Sequence, residues 1–237
     1  FVTDAKIIDN IFQNVGGYDP TLAYYRAMGV YIAAPHCIIQ GNVFGTDITG
    51  TENYGSNAEA IYLQNQWLPA DNCIIGGSGV NEPNIIANNG SEGAVAGIAI
   101  VQGKHNRISR NRIYNNSPIG ISLAIYAGPT WWGNQGKPEP VITSTNIGLG
   151  TGVVYGTSQA SDIIEVFLST GENNANTYLT TVITDSSGYW QAGNLDVSLS
   201  DRFIATATDS LNNTSELSNS FIVEEPCISL DPNFSYT

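Results

Sequence analysis

The sequence predicts an all-β protein in which a parallel β-helix is followed by an antiparallel β-sandwich. Short apolar motifs recur at uneven intervals through residues 1–140, and seven alternating segments follow from Val141. Glycine is abundant, only 12% of the residues are charged, and no segment has the apolar spacing of an amphipathic helix. We therefore predict a β-helix at 1–140, a sandwich at 141–223, and a linker or the start of a further domain at 224–237.

The β-helix is predicted from an internal repeat. Four segments share an apolar residue, two variable residues, an asparagine, a variable residue and a second apolar residue, although the third is interrupted by an insertion. A small residue and an alternating apolar pair recur between them, as GVYI, AIYL, GIAI and GISL. Aligned on the asparagine, the columns are Asn10, Asn42, Asn84 and Asn111; Ile7, Ile39, Ile75 and Ile108; and Phe12, Phe44, Ile86 and Ile113.

The motifs stay intact while their spacing varies, so the strands are expected to stack while the loops absorb the differences in length. Isoleucine and phenylalanine are expected to point inward, one repeat above another. The asparagine side chains are expected to form a hydrogen-bonded ladder at the strand spacing of about 4.8 Å. A β-sandwich with irregular strands is the alternative.

The second half is predicted to be an Ig-like sandwich. Its seven short segments are separated by turn sequences such as TDSSGYW and DSLNNTS. Pro138 and Pro140 are expected to stiffen the junction and to fix the angle between the two parts. The predicted core residues are Val166, Leu168, Tyr178, Trp190, Phe203, Ala205 and Ala207.

Charge limits the partners of the chain. The formal net charge is -13, with -3 on residues 1–140 and -10 on residues 141–237. Such a surface disfavours nucleic acid and anionic membranes, and no apolar run is long enough to insert into a bilayer. Half of the eight cations lie at Lys104, Arg107, Arg110 and Arg112, but the repeat register places them on different sides of the stack.

The cysteines do not form a disulfide framework. Cys37 and Cys73 are predicted to lie on successive repeats in a column with Asn106, where the distance between them would allow a disulfide. Buried free thiols are the preferred prediction for this pair. Cys227 either pairs beyond residue 237 or is free. The N-terminus lacks the layout of a secretory signal, so we expect a removed signal or a piece of a longer protein.

No catalytic or metal-binding residue is predicted. His36 and His105, the only histidines, precede strands at equivalent positions of the repeat, which indicates a structural role in turns. The acidic residues of the first half are scattered singly, without the pairing that glycoside hydrolysis requires. Asp209, Asn212 and Asn213 leave calcium open as an alternative to turn formation. The chain is predicted not to be an enzyme.

Aromatic residues in the insertions are the candidate ligand-binding residues. Trp67, Trp131 and Trp132 are predicted to stack on glycans, with nearby amide side chains donating and accepting hydrogen bonds. The pair Trp131 and Trp132 is equally explained as a plug over the open end of the β-helix.

Five segments carry a resemblance to a known family. CIIQGNVFGTDITGT, NCIIGGSGVNEPNIIANNG and GIAIVQGKHNRISRNRIYNNSPIGISL resemble the right-handed parallel β-helix repeats of large bacterial surface and secreted proteins. GKPEPVITST and ATATDSLNNTSELSNSF resemble the Ig-like domain that follows the last coil in that family. The similarity covers nearly the whole chain but is specific for architecture rather than for activity.

The resemblance implies an extracellular, non-catalytic segment of a large cell-surface adhesin, serving as a stalk or adhesive module in attachment or movement. Its partners would be surface glycans or other cell-surface proteins. Two alternatives stay open: a carbohydrate-binding module that uses the loop aromatic residues, and a fragment of a polysaccharide lyase or hydrolase.

Overall fold

The computed structural model describes residues 3–16, 28–64, 69–90, 94, 96–123, 133–147 and 151–223. Apart from one 3-10 turn at Gly133–Gly136, every regular element in these ranges is a strand. None of them is a helix long and apolar enough to cross a bilayer. The predicted tail at 224–237, with Cys227, lies outside the described residues.

Twelve short strands occupy the first half. They are β1 Lys6–Ile8, β2 Ile11–Phe12, β3 Val30–Ile32, β4 Ile38–Gln40, β5 Val43–Phe44, β6 Ile61–Leu63, β7 Ile74–Gly76, β8 Ile85–Ala87, β9 Ile98–Ile100, β10 Arg107–Ser109, β11 Arg112–Tyr114 and β12 Ile121–Ser122. They form three parallel sheets: sheet A from β1, β4, β7 and β10, sheet B from β2, β5, β8 and β11, and sheet C from β3, β6, β9 and β12.

Each of four successive repeats contributes one strand to each sheet, and we call this assembly the parallel stack. The register pairs Ile7 with Ile39, Ile39 with Ile75, and Ile75 with Ile108, as the sequence columns predict. The phenylalanine column is likewise in register, and the rings of Phe12 and Phe44 stack at 4.6 Å. The arrangement is consistent with a β-helix-like repeat, and the all-β prediction is confirmed.

Both histidines lie in the corner that precedes sheet A, where the backbone is left-handed. His36, Asn72 and His105 have φ angles of 59°, 59° and 61°. Each lies two residues before the first residue of a strand of sheet A. Histidine and asparagine tolerate this left-handed conformation better than most residues. The histidines thus occupy equivalent turns, in agreement with their predicted structural role.

The asparagine column forms a continuous ladder beside the corner between sheets A and B. The side-chain oxygen of Asn42 accepts from the backbone and side-chain nitrogens of Asn10, at 3.0 and 3.2 Å. Asn84 accepts from Asn42 in the same way at 2.9 and 3.0 Å, and Asn111 accepts from Asn84 at 2.9 and 2.8 Å. The ladder satisfies buried polar groups that the corners between sheets A and B would otherwise leave unpaired.

Seven strands follow and form the antiparallel unit. They are β13 Val141–Ile147, β14 Gly152–Thr157, β15 Ile163–Ser169, β16 Thr177–Ile183, β17 Tyr189–Leu195, β18 Arg202–Thr208 and β19 Phe221–Ile222. One sheet has the order β13-β14-β17 and the other β16-β15-β18-β19. Residues of both sheets share one hydrophobic cluster, in which Trp190 and Phe203 are fully buried.

Tyr178 departs from its predicted place in that core. It pairs across the strands with Phe167, and the two rings meet edge to face at 5.9 Å. Side chains alternate along a strand, so Val166 points into the core while Phe167 points to the opposite face. That face packs against the parallel stack, where Phe167 and Tyr178 join the hydrophobic cluster of the stack.

Candidate functional site

The residues predicted to contact glycans are not described by the structure. Trp67, Trp131 and Trp132 all lie outside the described ranges. The glycan contact and the tryptophan plug both stay predictions.

The end of the parallel stack is covered by the antiparallel unit. Phe167 and Leu217 of the antiparallel unit belong to the same hydrophobic cluster as Ile108, Ile113 and Ile121 of the last repeat. Burial of this apolar surface stabilises the contact by roughly 25 cal/mol per Å² removed from water. The apolar core is thus continuous from the stack into the antiparallel unit.

Each of the three parallel sheets is also capped by a hydrogen bond. In sheet A, Ile108 N donates to Thr214 Oγ1 at 3.0 Å, and in sheet B, Ile113 and Ala175 exchange two backbone bonds of 2.8 and 2.6 Å. Directly after β12 of sheet C, Leu123 N donates to a carboxylate oxygen of Glu216 at 2.7 Å. An unpaired edge of a parallel sheet is a template for aggregation, and these three contacts occupy it.

A buried carboxylate strengthens the junction at the corner between sheets A and B. Glu165 of β15 accepts from Ser109 Oγ at 2.6 Å and from Arg110 N at 2.8 Å. The guanidinium of Arg110 lies 4.5 Å from the centre of the Tyr178 ring. Arg107 lies in sheet A and Arg112 in sheet B, so these arginines are splayed, as predicted from the register.

A buried ion pair lies where the chain enters the antiparallel unit. Lys137 Nζ is 2.9 and 2.8 Å from the two carboxylate oxygens of Asp162 and 2.7 Å from Gln159 Oε1. Both charged side chains are almost fully buried. Because a buried charge is costly without its partner, this pair fixes the start of the unit relative to the loop between β14 and β15.

The residues for which calcium was left open beside turn formation belong to a hydrogen-bonded turn. Asp209 Oδ1 accepts from the backbone nitrogens of Leu211 and Asn213, and Oδ2 accepts from Asn213 Nδ2. Asn213 Oδ1 accepts from His105 N at 2.7 Å, which ties the turn to the parallel stack. Within the ranges given above, no three His, Cys, Asp or Glu side chains form a group that could hold a metal.

Cys37 and Cys73 are buried free thiols inside the parallel stack. Their sulfur atoms lie 3.4 and 3.6 Å from the same carbonyl oxygen, that of Ala34. Burial is the main cause that raises the pKa of Cys73 to about 12. The column continues through Asn106 to Asn134, because Cys73 N donates to Asn106 Oδ1 and Asn106 N donates to Asn134 Oδ1.

An open groove lies on the outer face of sheet B. Ile11, Val43 and Ile85 are aligned across β2, β5 and β8, and their side chains point away from the stack core. They form the floor of a groove of about 440 Å³, and Ile48 and Val80 line its sides. We call this feature the sheet B groove.

Two braced loops form the walls of the groove. In residues 46–52, Asp47 accepts from the backbone nitrogens of Thr51 and Glu52 and from the Thr49 side chain, which holds the pKa of Asp47 well below its usual range. Tyr114 OH also donates to the Gly50 carbonyl in this loop.

In the second wall, residues 77–84, Glu82 accepts from Gly79 N at 2.7 Å. Gly41 N donates to the Glu82 carbonyl. A Cβ on Gly41 would lie 2.2 Å from Asp9 Oδ1 and 2.7 Å from the Asn81 carbonyl oxygen. Glycine at this position therefore lets the loop fold closely over the neighbouring repeat.

Comparisons with known proteins supply no family for this chain. No protein-family model matches it, and no curated protein matches its sequence.

The capping residues and the groove were missed at the level of sequence. Ala175 lies in the loop between β15 and β16, whereas Thr214 and Glu216 lie in the segment between β18 and β19, and no repeated spacing relates the three residues. The groove floor did leave a signal: the residue before each inward phenylalanine or isoleucine of sheet B is also apolar in three repeats. Strand alternation makes those residues an outward apolar row.

Proposed function

We propose that the chain is a non-catalytic segment of a large bacterial cell-surface protein and acts there as a stalk or adhesive module. In this proposal the parallel stack is a right-handed β-helix, and the antiparallel unit is an Ig-like sandwich at its end. The observation that carries the proposal is the junction, where the antiparallel unit contacts all three parallel sheets.

The junction suits a load-bearing role. Interfaces between domains of one chain usually permit relative motion unless they are large and hydrophobic. Here the hydrophobic cluster is continuous, and buried Glu165 adds two hydrogen bonds. A stalk has to transmit force along its length, and a continuous core with capped sheets opposes bending at the joint.

The strand order supports the Ig-like assignment. Seven strands are divided three and four between two antiparallel sheets, with Trp190 buried between them. This division is typical of the seven-strand form of that fold. Ahead of the short last strand, Ser215 and Ser218 bind β18 through both backbone and side chain. Their backbone nitrogens donate to the carbonyls of Ala207 and Ala205, and their Oγ atoms accept from Ala207 N and Ala205 N.

A pulling experiment tests the stalk. With handles at Lys6 and Phe221, the proposal predicts that the stack and the antiparallel unit unfold together in one event. Separate events, with the junction yielding at low force, would contradict it.

An activity screen tests the non-catalytic assignment. The chain is incubated with neutral and acidic polysaccharides, and reducing and unsaturated ends are measured. The proposal predicts no release above that of the heat-unfolded chain. Release that depends on the folded chain would identify a hydrolase or lyase fragment instead.

A further inference from the structure

We propose that the sheet B groove is a docking site for a basic, extended segment of another protein that carries aliphatic side chains. The inference goes beyond the stalk function and does not depend on it, because it rests on the shape and the charge of the groove.

The groove presents apolar side chains that its own chain does not cover. Val80 is 98% exposed, Ile48 is 73% exposed and Ile11 is 57% exposed. The loops that hold Ile48 and Val80 are braced by Asp47 and Glu82, so these side chains are held in water by an ordered backbone. A preorganised apolar surface loses little conformational entropy when a partner covers it.

The dimensions fit an extended peptide. The floor crosses three strands, and two strand spacings amount to about 10 Å. An extended chain advances about 3.3 Å per residue, so roughly three residues lie along the floor. Alternate side chains of such a segment point to the same side, which allows aliphatic side chains to contact the floor while the others reach the rim.

Charge selects a basic segment. Asp9 lines the groove, and its carboxylate has no hydrogen bond or ion pair with any described residue. The carboxylates of Asp47 and Glu82 in the walls add negative charge, and the whole chain has a net charge of -13. Arg112, which pairs with Ile85 on the next strand of sheet B, is directed to the wall, where it lies over the Tyr114 ring and donates to the Thr49 carbonyl.

A glycan fits the groove less well. Sugar sites present flat aromatic rings and several convergent polar groups. The described residues that line the groove include no aromatic ring, and the side chains of Asn10 and Asn42 are occupied by the asparagine ladder, which leaves Asp9 and Asn81 as its other polar side chains. Lysine or arginine together with leucine, isoleucine or valine matches both the Asp9 carboxylate and the apolar floor.

Fluorescence anisotropy with three labelled pentapeptides tests the proposal on the whole chain. The probe alternates lysine with leucine, and the matched peptides alternate glutamate with leucine and lysine with serine. Only the lysine and leucine peptide is expected to bind, and more weakly as salt is raised. Equal binding of the glutamate and leucine peptide, or no binding of any peptide, would overturn the proposal.

Variants locate the binding. Asp9→Asn is expected to weaken binding about 2- to 5-fold, as for an exposed ion pair. Ile48→Ser and Val80→Ser are each expected to weaken it about 3- to 10-fold through lost apolar contact. The matched controls Asp196→Asn and Ile183→Ser change exposed residues of the antiparallel unit and should leave binding unchanged.

Equal loss in variants and controls would show nonspecific attraction to an acidic protein and would refute a docking site. Displacement of the peptide by cellohexaose or by a hyaluronan hexasaccharide would assign the groove to glycans instead. Each groove variant removes an exposed side chain, so circular dichroism should show an unchanged fold.

Discussion

The parallel stack and the antiparallel unit are stabilised in different ways. Strands of the stack are two or three residues long and pair with the equivalent strands of the neighbouring repeats, whereas β13 to β18 are six or seven residues long. The stack depends on stacked columns, such as the asparagine ladder, to satisfy its corners. The antiparallel unit instead encloses a cluster around Trp190.

The difference explains why the parallel stack needs the antiparallel unit. A stack of repeats has no natural end, because each repeat leaves an edge for the next one. The antiparallel unit ends the stack with three capping contacts and contributes residues to its core. The stack requires a cap, and the antiparallel unit provides one from loops that its own core does not need.

Breaking the buried ion pair at the start of the antiparallel unit should have the largest effect. Lys137→Met leaves the Asp162 carboxylate buried without its cation, and we expect a loss of about 3–5 kcal/mol in the free energy of unfolding. The double variant Lys137→Met, Asp162→Asn should recover most of that loss in urea unfolding. A single variant as stable as the natural chain would show that the pair is not buried in solution.

Interrupting the asparagine ladder tests the stack itself. Asn84→Ala removes the acceptor for Asn42 and the donor to Asn111, which are buried, so we expect a loss of about 2–4 kcal/mol. Asn10→Ala at the exposed end of the ladder should cost less than about 1 kcal/mol. An equal decrease in the free energy of unfolding for both variants would contradict a ladder that stabilises the fold because it is buried.

A substitution at the junction should have an intermediate effect. The Glu165 carboxylate accepts one hydrogen bond from Ser109 Oγ and one from Arg110 N. Glu165→Gln replaces one of these acceptors by an NH2 donor, so the free energy of unfolding should fall by about 1–3 kcal/mol. Glu172→Gln is the control, since its ion pair with Arg202 is exposed and worth about 1 kcal/mol or less. Stability measured by urea unfolding should therefore fall more for the Glu165 variant.

The smallest effect concerns pH. Burial raises the pKa of Glu216 above its ordinary value of 4.5, so the folded chain binds this proton more tightly than the unfolded chain. The burial cost of the charge is thus present at neutral pH and is relieved as pH falls through the raised pKa. Glu216→Gln should be more stable than the natural chain at pH 7, and the difference should fade toward pH 4.5. A difference that grows on acidification would contradict this sign.

The repeat was predictable from the sequence because each inward-facing position recurs in four successive repeats. Ile39 or Asn42 alone predicts little, but the same residues in four repeats define strands, corners and register. The junction had no such repetition: Ala175 and Thr214 act as caps only after the antiparallel unit has folded. Tyr178 was placed in the wrong core for the same reason, since alternation shows two faces of a strand without showing what covers the second.

Unfolding followed by two local probes tests the central claim that the antiparallel unit caps the stack. With Trp67, Trp131 and Trp132 replaced by phenylalanine, Trp190 fluorescence reports on the antiparallel unit. Labelling of Cys37 and Cys73 reports on the stack, because both thiols are buried when it is folded. The account predicts that the two urea transitions coincide and that Glu165→Gln shifts both together. Two separate transitions, with only one moved by Glu165→Gln, would contradict it.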